Sequence, residues 1–118
     1  MATTILIVDD HDGFRSRARR MLEAEGFDVV GEAGSASAAA EAVRDLRPSL
    51  VLLDVQLPDG NGFDLADRLL ADGRDAPAVV LTSTRDAVEY GPLVTRSRAR
   101  GFIPKGELTA AGLRALLE

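Results

Sequence analysis

Four charged side chains stand at the ends of short apolar runs, and their types suit one kind of chemistry. Asp9 and Asp10 follow Ile5-Leu6-Ile7-Val8, Asp54 follows Ser49-Leu50-Val51-Leu52-Leu53, and Lys105 follows Gly101-Phe102-Ile103-Pro104. If these run ends meet, three carboxylates repel one another, so the cluster must raise a pKa or hold a cation. An all-oxygen site with room for water suits Mg²⁺. The sequence has no cysteine, and without sulfur or imidazole ligands zinc is not expected. A carboxylate is also a nucleophile toward phosphoryl groups, giving an acyl phosphate. A lysine ammonium and a threonine hydroxyl, here Thr82 after a fourth run, would contact the remaining phosphoryl oxygens.

Each residue has a plainer reading. Asp54 could cap a turn, Thr82 could be an ordinary β-branched strand residue, and Lys105 could be a surface lysine. Asp9 and Asp10 could cap a helix, although two adjacent acids exceed what a cap requires. Lys105 is the only lysine among 14 basic residues; codon bias toward arginine explains most of that, yet a position that keeps lysine can need its compact ammonium. His11 reads as a solvated neighbour of the pocket, with nothing at metal-ligand spacing beside it. Asp59 and Asn61 read as turn residues, with Gly60 and Gly62 freeing the backbone. Convergence of the strand ends, more than any single residue, favours the site.

The elements that must position these groups alternate along the chain. Ile5–Val8, Phe27–Gly31, Leu50–Leu53, Ala78–Leu81 and Phe102–Ile103 read as strands. Between them, Phe14, Ala18, Met21 and Leu22 mark a helical face, with Asp12 as its N-cap and Gly26 as its stop. A second helix starts at Ser35 and ends before Pro48, and a third carries Leu65, Ala66, Leu69 and Leu70. A fourth, from Arg85 to about Ala99, would place Ala87, Tyr90 and Val94 on one face but is interrupted at Gly91-Pro92. Leu108, Leu113, Leu116 and Leu117 line the last. Strands separated by single helices imply right-handed crossovers and a parallel sheet covered on both faces. In such α/β sheets ligands bind beyond the carboxyl ends of the strands, where Asp9, Asp10, Asp54, Thr82 and Lys105 all fall.

The 118 residues fit one domain with a real core, and 46% hydrophobic and 28% charged residues are ordinary for a globular protein. A net charge of -5 argues against a nucleic-acid surface as the main activity. No apolar stretch approaches membrane-spanning length, and the start lacks signal-peptide features; a cytoplasmic protein is expected.

The chain resembles a response-regulator receiver domain over essentially residues 1–118. The resemblance is carried by Asp9-Asp10 after the first strand, by Asp54 within Leu52-Leu53-Asp54-Val55-Gln56-Leu57-Pro58-Asp59-Gly60-Asn61-Gly62, by Thr82, and by Lys105. It implies a flavodoxin-like (βα)5 fold with strand order 2-1-3-4-5. It further implies that Asp54 accepts a phosphoryl group from a sensor histidine kinase or a phosphotransfer protein. Asp10, Asp54 and the Gln56 backbone carbonyl would bind Mg²⁺, with Asp9 acting through water, while Thr82 and Lys105 grip the phosphoryl group. Thr82 and Phe102 would then act as a switch, altering a face made by the fourth helix, fifth strand and fifth helix that serves partner binding and possible homodimerisation. Such a module is no enzyme beyond self-catalysed phosphotransfer and autodephosphorylation. Nothing in these residues encodes DNA binding or a membrane anchor.

Departures from the commonest pattern are local. Phe102 stands where many receivers carry tyrosine, leaving ring packing but no phenolic hydroxyl for a switch. Ser83 follows Thr82 where a small apolar residue is usual. Two other classes remain: a receiver-like interaction module that no longer uses phosphate, and a small-molecule phosphohydrolase. The second usually carries an aspartate two residues after its nucleophile, where this chain has Gln56.

Overall fold

Four strongly apolar strands and a weaker one assemble into a single parallel sheet. The computed structural model describes residues 2–71, 73–85 and 87–118, with Arg74 and Ala87 described by backbone alone. The strands are β1 (Thr4–Val8), β2 (Asp28–Ala33), β3 (Leu50–Asp54), β4 (Ala78–Ser83) and β5 (Gly101–Pro104). Their order is β2-β1-β3-β4-β5, all parallel, as the expected 2-1-3-4-5 topology requires. β2 runs past the expected Gly31, and its pairing with β1 slips between Ile5 and Leu6.

Helices α1 (Asp12–Ala24), α2 (Ala36–Leu46), α3 (Gly62–Leu70), α4 (Ala87–Tyr90) and α5 (Pro92–Arg96) connect the strands, and α6 (Ala110–Leu117) follows β5. Successive residues of a strand point to opposite faces, and the two core layers follow that alternation. Leu6, Val8, Val51, Leu53, Val79 and Leu81 pack against α2 and α3, with Tyr90 and Val94 beside them. Ile5, Ile7, Leu50, Leu52 and Val80 pack against Ala18 and Leu22 of α1 and Ala110 and Leu113 of α6.

The anticipated break in the fourth helix is present. Gly91, at φ 55, separates α4 from α5, and Pro92 opens α5 where a missing N–H costs nothing. Tyr90 and Val94 do share a face; the Ala87 side chain lies outside the described residues. Other boundaries also differ from expectation. His11, not Asp12, occupies the N-cap of α1, and Asp12 is the first helical residue. β4 continues through Ser83, so Thr82 lies within the strand. Leu108 precedes α6, whose N-cap is Thr109, accepting from the Gly112 N–H at 3.0 Å.

Candidate functional site

Strand alternation explains why the reactive residues face one another. Asp54 continues the Leu50–Leu52 side of β3, Thr82 the Val80 side of β4, and Asp9 the Ile5–Ile7 side of β1. Ile103, two residues before Lys105, belongs to the same α1/α6 layer. Asp54 and Thr82 are register partners, and the Asp9 N–H still donates to the Ala33 carbonyl at 2.9 Å. Beyond β3 the chain turns through a two-residue hairpin, Gln56–Leu57 against Gly60–Asn61, which sequence reading treated as plain loop. Gly62 closes it: its N–H donates to the Val55 carbonyl at 2.7 Å. A Cβ on Gly62 would sit 2.5 Å from the Asp54 carbonyl oxygen.

The side chains converge. Lys105 Nζ lies 2.6 Å from Asp9 Oδ2 and 3.4 Å from Asp54 Oδ2, and 4.7 Å from the centroid of the Phe14 ring. The Gln56 N–H donates to Asp54 Oδ1 at 3.2 Å. Asp9, Asp54 and Thr82 are buried, whereas Asp10 is more open to solvent, its side chain 41% exposed. Thr82 Oγ1 is buried with no hydrogen-bond partner among the described residues. An orphaned hydroxyl at this depth is uncommon and leaves a donor free for an incoming acceptor.

Electrostatics follow from that crowding. Burial, then the neighbouring Asp9 charge, pushes the Asp54 pKa up, against the Gln56 N–H and Lys105, which hold it down. Burial opposes charge on Lys105, yet contact with Asp9 and the charges of Asp54 and Asp9 prevail and raise its pKa. One ammonium thus partly balances several acids. Candidate ligand atoms of Asp9, Asp10, His11 and Asp54 all lie within 4.8 Å of one another, and three carboxylates fit a hard divalent cation such as Mg²⁺.

Residues 5–117 match the response regulator receiver domain family. The chain belongs to that family. Among relatives of this receiver domain, the response regulator GacA of Pseudomonas aeruginosa is 36% identical over 118 residues, covering 97% of this chain and 51% of that protein. The DNA-binding response regulator MtrA of Mycolicibacterium smegmatis is 44% identical over 89 residues, covering 75% of this chain and 38% of that protein. The receiver domain thus spans about half or less of the length of these relatives. The signal receiver domain of the putative response regulator NarL from Mycobacterium tuberculosis superposes with a TM-score of 0.84 at 28% identity, covering 98% of this chain and 97% of that one. Receiver domains are signalling phosphoacceptors of two-component systems that interact with histidine kinases or phosphotransfer proteins, and they generally bind Mg²⁺ at an acidic pocket.

Some contacts around the pocket were not legible in the sequence. Arg15 reaches the Asp9 carbonyl and pairs with Glu32 at 3.0 Å, and Arg19 pairs with the same Glu32 at 2.5 Å, so these two arginines pin α1 to β2. Asp59 accepts from the Ala36 and Ser37 N–H groups at 2.7 and 3.0 Å, anchoring the hairpin to the start of α2. Phe102, on the opposite face from Ile103, packs with its ring 5.8 Å from that of Tyr90. A phenolic hydroxyl is present there after all: Tyr90 supplies it from α4, bonded to Ser83.

Proposed function

We propose that residues 1–118 act as one phosphoacceptor unit in which Asp54 takes a phosphoryl group from a sensor histidine kinase or phosphotransfer protein. The observation that carries this reading is the buried Asp54 carboxylate with the Lys105 ammonium at 3.4 Å and the unpartnered Thr82 hydroxyl in register beside it. An Asp54 carboxylate oxygen forms the new P–O bond as the P–N bond to the donor imidazole breaks; the imidazole, protonated from solvent on its other ring nitrogen, leaves as the neutral ring. Lys105 and Thr82 take the phosphoryl oxygens as hydrogen-bond acceptors. Asp10, Asp54 and the Gln56 carbonyl would hold Mg²⁺, with Asp9 acting through water. When bound, Mg²⁺ supplies charge neutralisation for the phosphoryl oxygens.

The consequence is a switch. An acyl phosphate adds negative charge and strong acceptor oxygens, drawing Thr82 toward it while Phe102 repacks inward. The face of α4, α5, β5 and α6 then changes its fit to an output partner or to a second copy of the chain. The segment most able to respond is α4–α5, broken at Gly91. A groove of about 750 Å³ beside the pocket, lined by Phe14, Met21, Lys105 and Leu108 among others, offers the donor protein a docking surface next to Asp54. The unit works in the cytoplasm, binds neither membrane nor nucleic acid itself, and has no turnover beyond its own phosphorylation and autodephosphorylation.

Incubation with acetyl phosphate and Mg²⁺, followed by intact-mass measurement and peptide mapping, tests the assignment. The wild-type chain should gain one phosphoryl group on the peptide containing Asp54, and Asp54→Asn should gain none. Equal incorporation in both would sink it.

A further inference from the structure

We propose that His11 is a metal ligand that tilts the pocket from Mg²⁺ toward the later first-row transition ions such as Co²⁺. The inference rests on reading the acidic pocket as a cation site and adds one nitrogen donor to it. His11 occupies the N-cap of α1 with extended backbone angles, φ -94 and ψ 109, yet its side chain makes no capping hydrogen bond. N-cap side chains ordinarily accept from the first turn of their helix; this one turns the other way. Its Nδ1 lies 3.2 Å from Asp9 Oδ1 and 3.2 Å from Asp10 Oδ1. The His11 N–H donates to the same Asp9 oxygen at 2.9 Å, which fixes the loop. The His11 side chain is 68% exposed, so packing does not explain where it points.

Asp9, Asp10, His11 and Asp54 therefore offer three oxygens and one nitrogen, all within 4.8 Å of one another. Mg²⁺ takes oxygen ligands and retains its waters, and gains little from an imidazole. Affinity for a given site rises from Mn²⁺ through Co²⁺ and beyond, and an imidazole donor favours the later ions of that series, whereas Mn²⁺, like Mg²⁺, prefers carboxylate, carbonyl and water oxygens. Were His11 only hydrogen-bonded to the two acids, replacing it would shift the affinities of all divalent ions alike and leave their ratios unchanged. That difference separates the two possibilities.

The chemistry makes the test clean, because the sequence holds one histidine and no cysteine. With any affinity tag removed, titration calorimetry of wild type and His11→Gln with Mg²⁺, Mn²⁺ and Co²⁺ gives the affinity ratios. Pulsed electron paramagnetic resonance of the Mn²⁺-loaded proteins reports directly coordinated nitrogen. His11→Gln should lose on the order of tenfold in Co²⁺ affinity, keep its Mg²⁺ affinity, and lose the nitrogen coupling. Unchanged ratios without nitrogen coupling in wild type, while all three ions bind, would overturn the role of His11 and leave the cation pocket standing. Failure of wild type to bind any of the three ions would overturn both. Should circular dichroism show His11→Gln misfolded, His11→Asn, a favoured N-cap residue, replaces it in the same measurements.

Discussion

Ser83 Oγ and the Tyr90 hydroxyl lie 2.7 Å apart, tying the end of β4 to the short helix α4. Ser83 adjoins Thr82 but points to the other face of the sheet, where the Tyr90 ring sits 5.4 Å from Phe63 and 5.8 Å from Phe102. Two neighbouring residues of one strand therefore touch the phosphoacceptor pocket on one side and the aromatic cluster on the other. In the proposed switch, movement of Thr82 toward phosphate would disturb the Ser83–Tyr90 bond through the peptide they share.

Tyr90→Phe removes that bond while keeping the ring. Loss of one partly buried hydrogen bond should lower stability by about 1 kcal/mol, measured by urea denaturation. Amide exchange across α4 and α5 should quicken, because their remaining hold on the sheet is weaker. Unchanged exchange in that segment would show that the hydroxyl does not restrain it.

Asp54→Asn should stabilise the metal-free protein at neutral pH. The sign follows from its raised pKa, caused by burial and Asp9. A raised folded-state pKa gives a stabilising contribution that is complete below the ordinary aspartate value and disappears as pH rises through the folded value. The advantage of the variant should therefore shrink as the solution is acidified and Asp54 protonates in the fold. Denaturation midpoints across that range, in chelator and then in Mg²⁺, check both the sign and its dependence on metal.

Gly62→Ala should damage site and fold together. Its new Cβ would meet the Asp54 carbonyl oxygen at 2.5 Å and Val55 Cα at 2.9 Å, both backbone, so the phosphoacceptor peptide itself must shift. Destabilisation of about 1–3 kcal/mol, the range for overpacking, should accompany slower labelling by acetyl phosphate. Normal labelling kinetics in a folded variant would contradict this.

Asp59→Ala should lower the melting temperature at neutral pH. Hydrogen bonds from the Ala36 and Ser37 N–H groups hold the Asp59 pKa below the usual carboxylate value. The stabilisation is therefore present above the ordinary aspartate pKa and fades as pH falls through the lower folded value. Wild type and variant should converge in acid.

Much of the architecture was legible because burial writes itself as uninterrupted apolar runs. Leu50-Val51-Leu52-Leu53 could only be a strand covered on both faces, and the break in the fourth helix followed from Gly91-Pro92. Asp54, Lys105 and their acidic neighbours were legible for the same reason: polar residues at the ends of such runs are fixed in space by the sheet. The Ser83–Tyr90 bond, the turn of His11 toward Asp9 and Asp10, and the anchoring of Asp59 to α2 were not. Each depends on where a side chain points across a gap between elements far apart in sequence, and neither periodicity nor propensity encodes that direction. Hydropathy ends β4 two residues early, because Thr82 and Ser83 are polar yet fully buried.

The grip of Asp59 on the first turn of α2 has a practical corollary for anyone exchanging loops between receivers. Ala36 and Ser37 donate to Asp59, and Ser35 Oγ accepts from the Ala38 N–H at 3.1 Å. Residues 35–38 and 56–61 therefore form one transplantable unit, and grafting either stretch without its counterpart should leave a frayed helix and a misaligned acceptor loop.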